Sequence, residues 1–225
     1  MKLGLSIPFY NEAAVIPHSL PDLDSALSEL RHDAVIILVN NGSTDGSKNL
    51  LAEWCHKKPE RFKLCDLPHN QGYGGGILAG LRILEAENVD WIGWMWGDNQ
   101  IDPNILRPLC KALTEGADLA KSQRIQRQDG WQRTLITQSY HQLMRLKGYP
   151  IADINGCPKL MTRALLDGIQ PKEHGWFLDP EVMIAAQRLG AVIHNEETIM
   201  RPRQGGQSKV KLATVCSFLS YVVNL

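Results

Sequence analysis

The sequence lacks the features that mark several common classes of protein. Its 24 lysines and arginines are balanced by 24 aspartates and glutamates, so no net charge attracts nucleic acid or an anionic membrane. No uncharged apolar run approaches the roughly 20 residues that a membrane-spanning helix requires. The chain begins with an apolar run at Leu3, which leaves no room for a signal peptide. These absences predict a cytoplasmic protein that does not bind nucleic acid.

Signatures of disulfides, zinc sites and the common nucleotide folds are missing as well. The five cysteines are an odd number without a CxxC pair, which is more typical of reduced thiols than of a disulfide framework. The seven histidines include no HxxxH pair, which argues against zinc. Neither GxGxxG nor GxxxxGK[ST] occurs, which argues against a dinucleotide oxidoreductase or a P-loop NTPase.

Strand-like and helix-like patterns alternate through the first half of the chain. Continuous apolar runs such as Val35 to Val39 are typical of central parallel strands, and 3.6-residue periodicity marks the helices. The predicted strands cover 3–8, 35–39, 61–67, 89–96 and 117–122, and the predicted helices cover 13–31, 46–57, 75–87 and 103–115. The alternation predicts an α/β fold with a doubly wound, mostly parallel central sheet and helices on both faces.

The second half of the chain has a different character. A polar segment over 124–133 reads as a loop, followed by a helix over 132–147. Further strands are predicted over 153–162 and 191–199, and helices over 163–168 and 180–189. Because no linker-like segment separates the halves, we predict one domain over 1–211. It would consist of a nucleotide-binding half (1–123) and an acceptor-binding half (124–211).

The stretch from Trp94 to Pro103 carries the strongest chemical signal. It follows a buried strand and places Asp98 and Gln100 close together just after it. In open α/β sheets, ligands bind outside the carboxyl ends of the strands. Hard oxygen ligands there suit Mg²⁺ or Mn²⁺ bound to a diphosphate. The alternative interpretation is an ordinary strand-to-helix turn with an aspartate cap.

Three other segments accompany this one. The first strand ends in Pro8-Phe9-Tyr10-Asn11-Glu12, and the second ends in Asn40-Asn41-Gly42-Ser43-Thr44-Asp45, where amides can read a base or a ribose. Turn chemistry alone explains both equally well. A glycine-rich stretch, His69 to Gly76, precedes a helix, and we include Gly72 among the donor contacts because glycine lets backbone approach a ligand. The alternative for these glycines is close packing of helix against strand.

In this order, the motifs PFYNE, VNNGSTDGS, HNQGYGGGILAGL, GDNQIDP, DINGCPKL, FLDPE and RQGGQSK resemble family 2 glycosyltransferases with the GT-A fold. The branch most similar comprises dolichyl-phosphate mannose synthases and bacterial polyprenyl-phosphate glycosyltransferases. The resemblance covers about residues 3–211. It implies an inverting transfer of a sugar from a UDP- or GDP-linked donor to a polyprenyl phosphate or a glycan.

The resemblance also implies roles for individual residues. Asp98 and Gln100 match the metal-associated positions. The implied donor contacts are Pro8, Tyr10, Glu12, Asn40, Asn41, Arg203, Ser208 and Lys209. The implied acceptor contacts are Arg124, Arg133, Ser139 and Lys159. If the acceptor is a hydroxyl, a carboxylate must take its proton, and the candidates are Asp153, Asp179 and Glu181. The alternatives are solvated surface charges for the arginines and helix caps for the carboxylates, Asp179 above all because Pro180 follows it.

One position departs from the family pattern. The family's metal motif is Asp-x-Asp, and the first acid is replaced here by Trp96, which cannot ligate Mg²⁺. Asp98, Gln100, the diphosphate and waters can suffice for the metal, or Arg203 and Lys209 can carry more of the diphosphate charge. The rival function is a catalytically weak relative that binds sugar nucleotides. Another nucleotide-using enzyme, such as a nucleotidyltransferase, is disfavoured because a basic phosphate loop near the N-terminus is missing.

The C-terminal segment over 212–225 reads as a mostly apolar helix. Its narrow polar stripe consists of Thr214, Ser217, Ser220 and Asn224. Such a helix must be covered by its own domain, by a second subunit or by a membrane surface. Basic residues just upstream suit anionic lipid, but the strongly charged face of interfacial helices is missing. We therefore rank packing within the chain or in a homo-oligomer above peripheral membrane contact through 210–225.

Overall fold

The computed structural model describes residues 1–126, 144–145 and 148–202, and its centre is one seven-stranded sheet. The strands are β1 (Lys2–Phe9), β2 (Asp33–Asn41), β3 (Phe62–Leu67), β4 (Trp91–Trp94), β5 (Leu119–Gln126), β6 (Lys159–Thr162) and β7 (Ile193–Ile199). The helices are α1 (Ile16–Ser28), α2 (Ser47–Lys57), α3 (Gly72–Leu84), α4 (Leu106–Thr114), α5 (Arg163–Ile169) and α6 (Leu178–Arg188), with a 3₁₀ turn at Pro103–Ile105.

The sheet is mostly parallel, in the order β3-β2-β1-β4-β6-β5-β7. β1 pairs in parallel with β2 and β4, β2 with β3, and β5 with β7. β6 is antiparallel to both of its neighbours, β4 and β5. The predicted α/β class with a mostly parallel, doubly wound sheet is therefore confirmed. The position of β6 between β4 and β5 joins strands from both predicted halves of the chain in one sheet.

The core lies on both faces of this sheet. Along β2, Val35, Ile37 and Val39 pack into the cluster formed with α3 and α6, whereas Ile36 and Leu38 pack into the cluster formed with α1 and α4. Successive side chains of a strand point to opposite faces, so a continuous apolar run is expected when both faces are covered. The apolar run that predicted this central strand thus reflects helices on both sides.

Helix α3 starts earlier than predicted, at Gly72 rather than near residue 75. The glycine-rich stretch is itself the first turn of the helix. A Cβ on Gly74 would collide with the carbonyl oxygen of Glu173, and one on Gly80 would collide with the Ser6 hydroxyl. Glycine is therefore required here so that the helix can approach the 173–175 loop and β1 closely.

Two predicted boundaries in the second half are wrong. The polar loop predicted from residue 124 is strand as far as Gln126, because β7 pairs with this end of β5 and satisfies its backbone groups. The strand predicted over 153–162 starts only at Lys159. Residues 152–155 form a turn in which Asp153 has a φ of 40°. Neither the pairing with β7 nor the turn at 152–155 is evident from the local sequence.

Several other predictions fall partly or wholly outside the described residues. They include the helix over 132–147, apart from residues 144–145, and the C-terminal helix over 212–225. Among the helices of the described ranges, none is both long enough and apolar enough to cross a membrane.

The junction between β4 and β6 yields a testable prediction about stability. Gly93 lies opposite Leu160, and a Cβ at residue 93 would collide with the Lys159 carbonyl oxygen. We expect Gly93→Ala to lower the free energy of unfolding by about 2 kcal/mol, as other overpacked substitutions do. Gly168→Ala in α5 is the matched control, since the nearest atom to its added Cβ is Leu189 Cδ1 at 3.6 Å. Thermal unfolding of both variants would measure the difference, and equal melting temperatures would contradict the prediction.

Candidate active site

Polar and charged side chains from both halves of the chain meet at one edge of the sheet. The carboxyl ends of β1, β2 and β4 lie side by side there because these strands are parallel. β6 runs the other way, so its first residue, Lys159, lies at the same edge, opposite Trp94 of β4 and Lys121 of β5. This edge is where ligands bind in open α/β sheets.

The loop after β4 is held in a fixed shape around Asp98. Gly97 lies so close to Phe9 that a Cβ would be 2.5 Å from its ring. Asn99 adopts a left-handed φ of 56° and donates from Nδ2 to Asp22 Oδ2 of α1 at 3.0 Å. Short polar residues such as asparagine tolerate this conformation best. The contacts on either side therefore fix the backbone that carries Asp98.

Asp98 and Gln100 are joined by a hydrogen bond within the loop, and their role as metal ligands stays a prediction. Asp98 Oδ1 accepts the backbone N–H of Gln100 at 3.2 Å. The Gln100 amide nitrogen donates to the carbonyl oxygen of Arg201 at 3.3 Å, so its amide oxygen is the atom that could ligate a metal.

The donor set around Asp98 decides what kind of metal it fits. In the described ranges, no group of three or more His, Cys, Asp or Glu side chains could hold an ion by itself. Mg²⁺ usually takes one or two carboxylates and completes its shell with waters and substrate phosphates. The donor set of Asp98 and Gln100 therefore fits such an ion only together with a bound diphosphate.

Trp96 is part of a hydrogen-bonded chain rather than a gap in the metal site. Its Nε1–H donates to the Tyr73 hydroxyl at 3.0 Å, and that hydroxyl donates to Asp179 Oδ2 at 2.8 Å. Burial and the nearby Asp179 carboxylate raise the pKa of the Tyr73 hydroxyl well above its usual value, so it stays a donor. The Trp176 ring stacks on Tyr73 with centroids 4.7 Å apart. The indole thus connects the Asp98 loop to the start of α6.

Asp179 lies at the centre of this buried network. Its Oδ1 accepts from Trp94 Nε1 at 3.2 Å and from Lys159 Nζ at 2.6 Å. Lys159 is fully buried, and its Nζ also donates to the Gly156 carbonyl oxygen at 2.6 Å. Together with Tyr73, three donors therefore satisfy the two oxygens of the Asp179 carboxylate. Asp179 is not the cap of α6, because that helix begins at Leu178 and the N-cap position is Phe177.

A second buried ion pair joins Arg124 and Asp153. Arg124 Nε and Nη2 donate to the two carboxylate oxygens at 2.8 and 2.6 Å, and the guanidinium lies 5.3 Å from the Trp96 ring centroid. Burial alone would raise the pKa of Asp153, but the hydrogen bonds and charge of Arg124 outweigh it and lower this pKa to about 2. Arg124 is thus not a solvated surface charge, since only 7% of its side chain is exposed.

Lys121 is a buried cation beside both ion pairs. Its Nζ donates only to carbonyl oxygens in the described structure, those of Ser122, Ala152 and Asp153, at 3.2, 2.8 and 3.0 Å. Burial, reinforced by the nearby Lys159 ammonium, lowers the pKa of Lys121 to about 7. These bonds fix the turn that presents Asp153 to Arg124.

The predicted donor contacts on β2 and α3 already have partners within the protein. Asn40 Nδ2 donates to Asp66 Oδ1 at 2.7 Å. Asn41 Nδ2 donates to the Gly72 carbonyl oxygen at 2.8 Å, and Asn41 Oδ1 accepts the Gln71 N–H at 2.9 Å. Both asparagines are buried. Their amides therefore tie the end of β2 to β3 and to the start of α3.

Glu181 supports the loop that covers the start of α3. Its carboxylate accepts the backbone N–H groups of Lys172 at 3.1 Å and Glu173 at 2.9 Å. The next carbonyl oxygen, that of His174, accepts the Gly75 N–H at 2.9 Å. The Gly75 N–H, in the first turn of α3, therefore donates to the protein's own backbone and is not available to bind an anion.

The remaining predicted residues divide between the described edge and segments beyond it. Pro8 and Tyr10 are half-buried at the end of β1, and Glu12 is buried with its N–H donating to Ser47 Oγ at 2.9 Å. Outside the described residues lie Arg133, Ser139, Arg203, Ser208 and Lys209. Sequence reasoning missed Tyr73, Lys121 and Arg201. Only Lys121 left a signal, as a lysine that closes an apolar strand pattern.

Comparison with known proteins finds one matching family and several similar solved structures. The family described as Glycosyl transferase family 2 matches residues 5–169. Glucosyl-3-phosphoglycerate synthase from Mycobacterium tuberculosis, in complex with phosphoglyceric acid, is 20% identical with a TM-score of 0.75. The match covers 99% of this chain and 79% of that one. The same enzyme with Mn²⁺, UDP-glucose and phosphoglyceric acid is 20% identical, with a TM-score of 0.74 and coverage of 99% and 79%.

Mannosyl-3-phosphoglycerate synthase from Rubrobacter xylanophilus is similar over the whole chain. It is 14% identical with a TM-score of 0.74, and the match covers 100% of this chain and 73% of that one. At such identities the likeness shows the fold, which is the GT-A α/β fold that the sequence predicts.

The buried Lys121 predicts how stability changes with pH. Its pKa of about 7 in the folded protein lies below the value of about 10.4 for an unfolded lysine. Between these values the unfolded chain binds more protons, so this lysine makes the free energy of unfolding rise as pH increases from 7 to 10. We expect urea unfolding to show that rise for the wild type relative to Lys121→Met, on the order of several kcal/mol. Lys63→Met, at a half-exposed position, is the control, and parallel pH profiles for wild type and Lys121→Met would refute the prediction.

Proposed function

This chain belongs to glycosyl transferase family 2, and on that premise we propose that it moves a sugar from a UDP- or GDP-linked donor to a phosphate-bearing acceptor. The protein is a glycosyltransferase, because the family covers residues 5–169. The observation that carries the proposal is the fixed loop at the carboxyl edge of the sheet, with Asp98 and Gln100 oriented together. The rival proposal of a catalytically weak relative rested on Trp96, which has a defined place in the hydrogen-bonded network instead.

On the donor side, Asp98 and Gln100 would hold the metal. A Mg²⁺ or Mn²⁺ ion bound there would neutralise negative charge on the departing diphosphate. The related mycobacterial enzyme has been crystallised with Mn²⁺ and UDP-glucose, which supports this assignment by analogy. We propose Arg203, Ser208 and Lys209 as further diphosphate contacts on the resemblance alone. Asn40, Asn41 and Gly72 would shape the donor site through their internal hydrogen bonds rather than by reading the base.

On the acceptor side, the predicted cations among the described residues already have acidic partners, so we assign anion binding to other parts of the chain. Arg124 is paired with Asp153, and Lys159 with Asp179. The segment 127–147 carries the basic residues Arg127, Arg133, Arg145 and Lys147 against one acid, Asp129, and residues 203–225 carry Arg203, Lys209 and Lys211 without any acid. Local excess positive charge of this kind favours an anionic acceptor. We propose that Arg133 and Ser139 contact it, whereas Arg124 and Lys159 position the residues around it.

The three candidate bases already have partners within the protein. Asp153 has a pKa of about 2, Asp179 accepts three hydrogen bonds, and Glu181 accepts backbone N–H groups from Lys172 and Glu173. The contacts from Arg124 stabilise the ionised form of Asp153. An acceptor that attacks through a phosphate oxygen needs no general base, whereas one that attacks through a hydroxyl does. We propose a single displacement that inverts the anomeric centre, with positive charge developing on the sugar and negative charge on the leaving diphosphate.

Two kinds of acceptor could supply the phosphate group, a polyprenyl phosphate or a phosphoglycerate. The sequence motifs resemble polyprenyl-phosphate glycosyltransferases, in which the phosphate itself is glycosylated. The structural relatives from Mycobacterium tuberculosis and Rubrobacter xylanophilus are instead phosphoglycerate enzymes. In both cases the acceptor carries a phosphate group, so phosphate recognition is the shared chemistry of the proposal.

A panel assay tests the donor and the acceptor together. Purified protein is given UDP- or GDP-sugars with Mg²⁺ or Mn²⁺ and one of three acceptors: 3-phosphoglycerate, a short-chain polyprenyl phosphate in detergent, or a neutral oligosaccharide. We expect sugar transfer to one of the two phosphate-bearing acceptors, and the arm that reacts identifies the source of the phosphate. Transfer to the neutral oligosaccharide alone would overturn the proposal. Nuclear magnetic resonance of the product would test inversion at the anomeric carbon.

Asp98 provides the test of the metal side. We expect Asp98→Asn to reduce turnover by at least about 100-fold, since it would weaken the hold on the metal that stabilises the leaving diphosphate, and losing one such stabilising contact typically has that effect. The melting temperature should change little, because Asp98 is only half-buried. The control is Asp167→Asn, which removes a charge from the exposed face of α5. Near-normal turnover of Asp98→Asn would refute the metal assignment.

A further inference from the structure

The segment that follows β7 returns to the Asp98 loop and is fastened to it. The Arg201 backbone N–H donates to the Gln100 carbonyl oxygen at 2.7 Å, and Gln100 Nε2 donates to the Arg201 carbonyl oxygen at 3.3 Å. These two reciprocal bonds join residues that are 101 positions apart in the chain. They fix both the backbone of Gln100 and the direction of its side-chain amide.

The Arg201 side chain adds an ion pair to these backbone bonds. Its guanidinium pairs with Asp102 Oδ2 and lies 4.0 Å from Asp22 Oδ2 of α1. The other Asp102 oxygen accepts the Asn104 N–H at 2.9 Å and so caps the short helix that ends the loop. Arg201, Gln100 and Asp102 together form what we call the Arg201 clasp. The clasp holds the C-terminal end of the Asp98 loop, at Gln100 and Asp102. Asn99, in the middle of the loop, is held separately by Asp22 of α1.

We propose that Arg201 is a positioning residue for the metal side of the reaction. The Arg201 guanidinium, through its ion pair with Asp102, holds its own backbone against Gln100. The Gln100 N–H in turn donates to Asp98 Oδ1 at 3.2 Å. A carboxylate that stands without the family's second acid depends more on such support, because outer contacts typically change metal affinity 10- to 100-fold, roughly. The inference rests on the proposed function, since it assigns the ion to Asp98 and Gln100.

The sign of the effect separates positioning from simple electrostatics. Arg201 is positively charged, so its removal would strengthen the attraction of a cation to Asp98 if charge alone mattered. Loss of positioning would instead weaken the binding of Mn²⁺. Asp102→Asn breaks the same ion pair while asparagine still caps the following helix, but it also removes a negative charge, so its effect is assigned to the clasp only through the double variant. If both variants act through the same clasp, their effects should not add in the double variant.

The experiment measures Mn²⁺ binding directly. Free Mn²⁺ is followed by electron paramagnetic resonance while it is titrated into wild-type protein in the presence of UDP or GDP. We expect Arg201→Ala and Asp102→Asn each to raise the Mn²⁺ dissociation constant about 10-fold. Arg201→Lys should restore part of the affinity. The control is Arg107→Ala, which removes an arginine paired with Glu29 on the surface and should leave the dissociation constant unchanged.

Hydrogen exchange of the metal-free protein supplies a readout that does not depend on activity. We expect faster exchange of the amides over 98–102 in Arg201→Ala, with no change in β1. Unchanged exchange, or Mn²⁺ binding by Arg201→Ala as tight as or tighter than wild type, overturns the inference and leaves the proposed function in place. If the wild type takes up no Mn²⁺ with either nucleotide, the metal assignment in the proposed function fails, and this inference fails with it.

Discussion

The buried carboxylate of Asp179 is the constraint on which the site depends. It lies 3% exposed and accepts from Trp94, Lys159 and Tyr73, which come from β4, β6 and α3. A buried ion is tolerated only when its charge is paired and its hydrogen bonds are satisfied, so these elements must keep one arrangement around it. The antiparallel insertion of β6 brings Lys159 to this position. These buried contacts thus join the two predicted halves of the chain at the edge of the sheet that carries the candidate active site.

Trp96 shows how this network bears on catalysis. Its ring lies beside the Arg124 guanidinium, and its N–H continues through Tyr73 to Asp179. By the resemblance noted in the sequence, this residue stands where the family has a carboxylate of its metal motif, and in the structure it connects the two buried ion pairs. In the proposed mechanism the metal would be held by Asp98 and Gln100 alone, so the contacts that orient these two residues matter most there.

The fold was largely predictable from sequence, because burial on both faces of a parallel sheet leaves continuous apolar runs such as Val35 to Val39. Asp98 and Gln100 were also predictable as neighbours, since both follow one buried strand. Asn40 and Asn41 illustrate the limit. Their position at a strand end correctly identifies the edge of the sheet where the candidate site lies. Their hydrogen-bond partners Asp66, Gly72 and Gln71, however, are 26 to 31 residues away. Whether such an amide faces a ligand or the protein depends on contacts that a local pattern does not encode.

The sequence by itself determined the α/β class, the mostly parallel sheet, the family and the edge of the sheet where the candidate site lies, because these follow from periodicity and from short motifs. Only the tertiary structure decided that β6 runs antiparallel between β4 and β5, and that the charges of Arg124 and Lys159 are already paired. It alone showed that Arg201 reaches back to Gln100. Each of these features joins residues far apart in the chain, and the energy of a buried charge or a closed backbone pair exists only once both partners are in place.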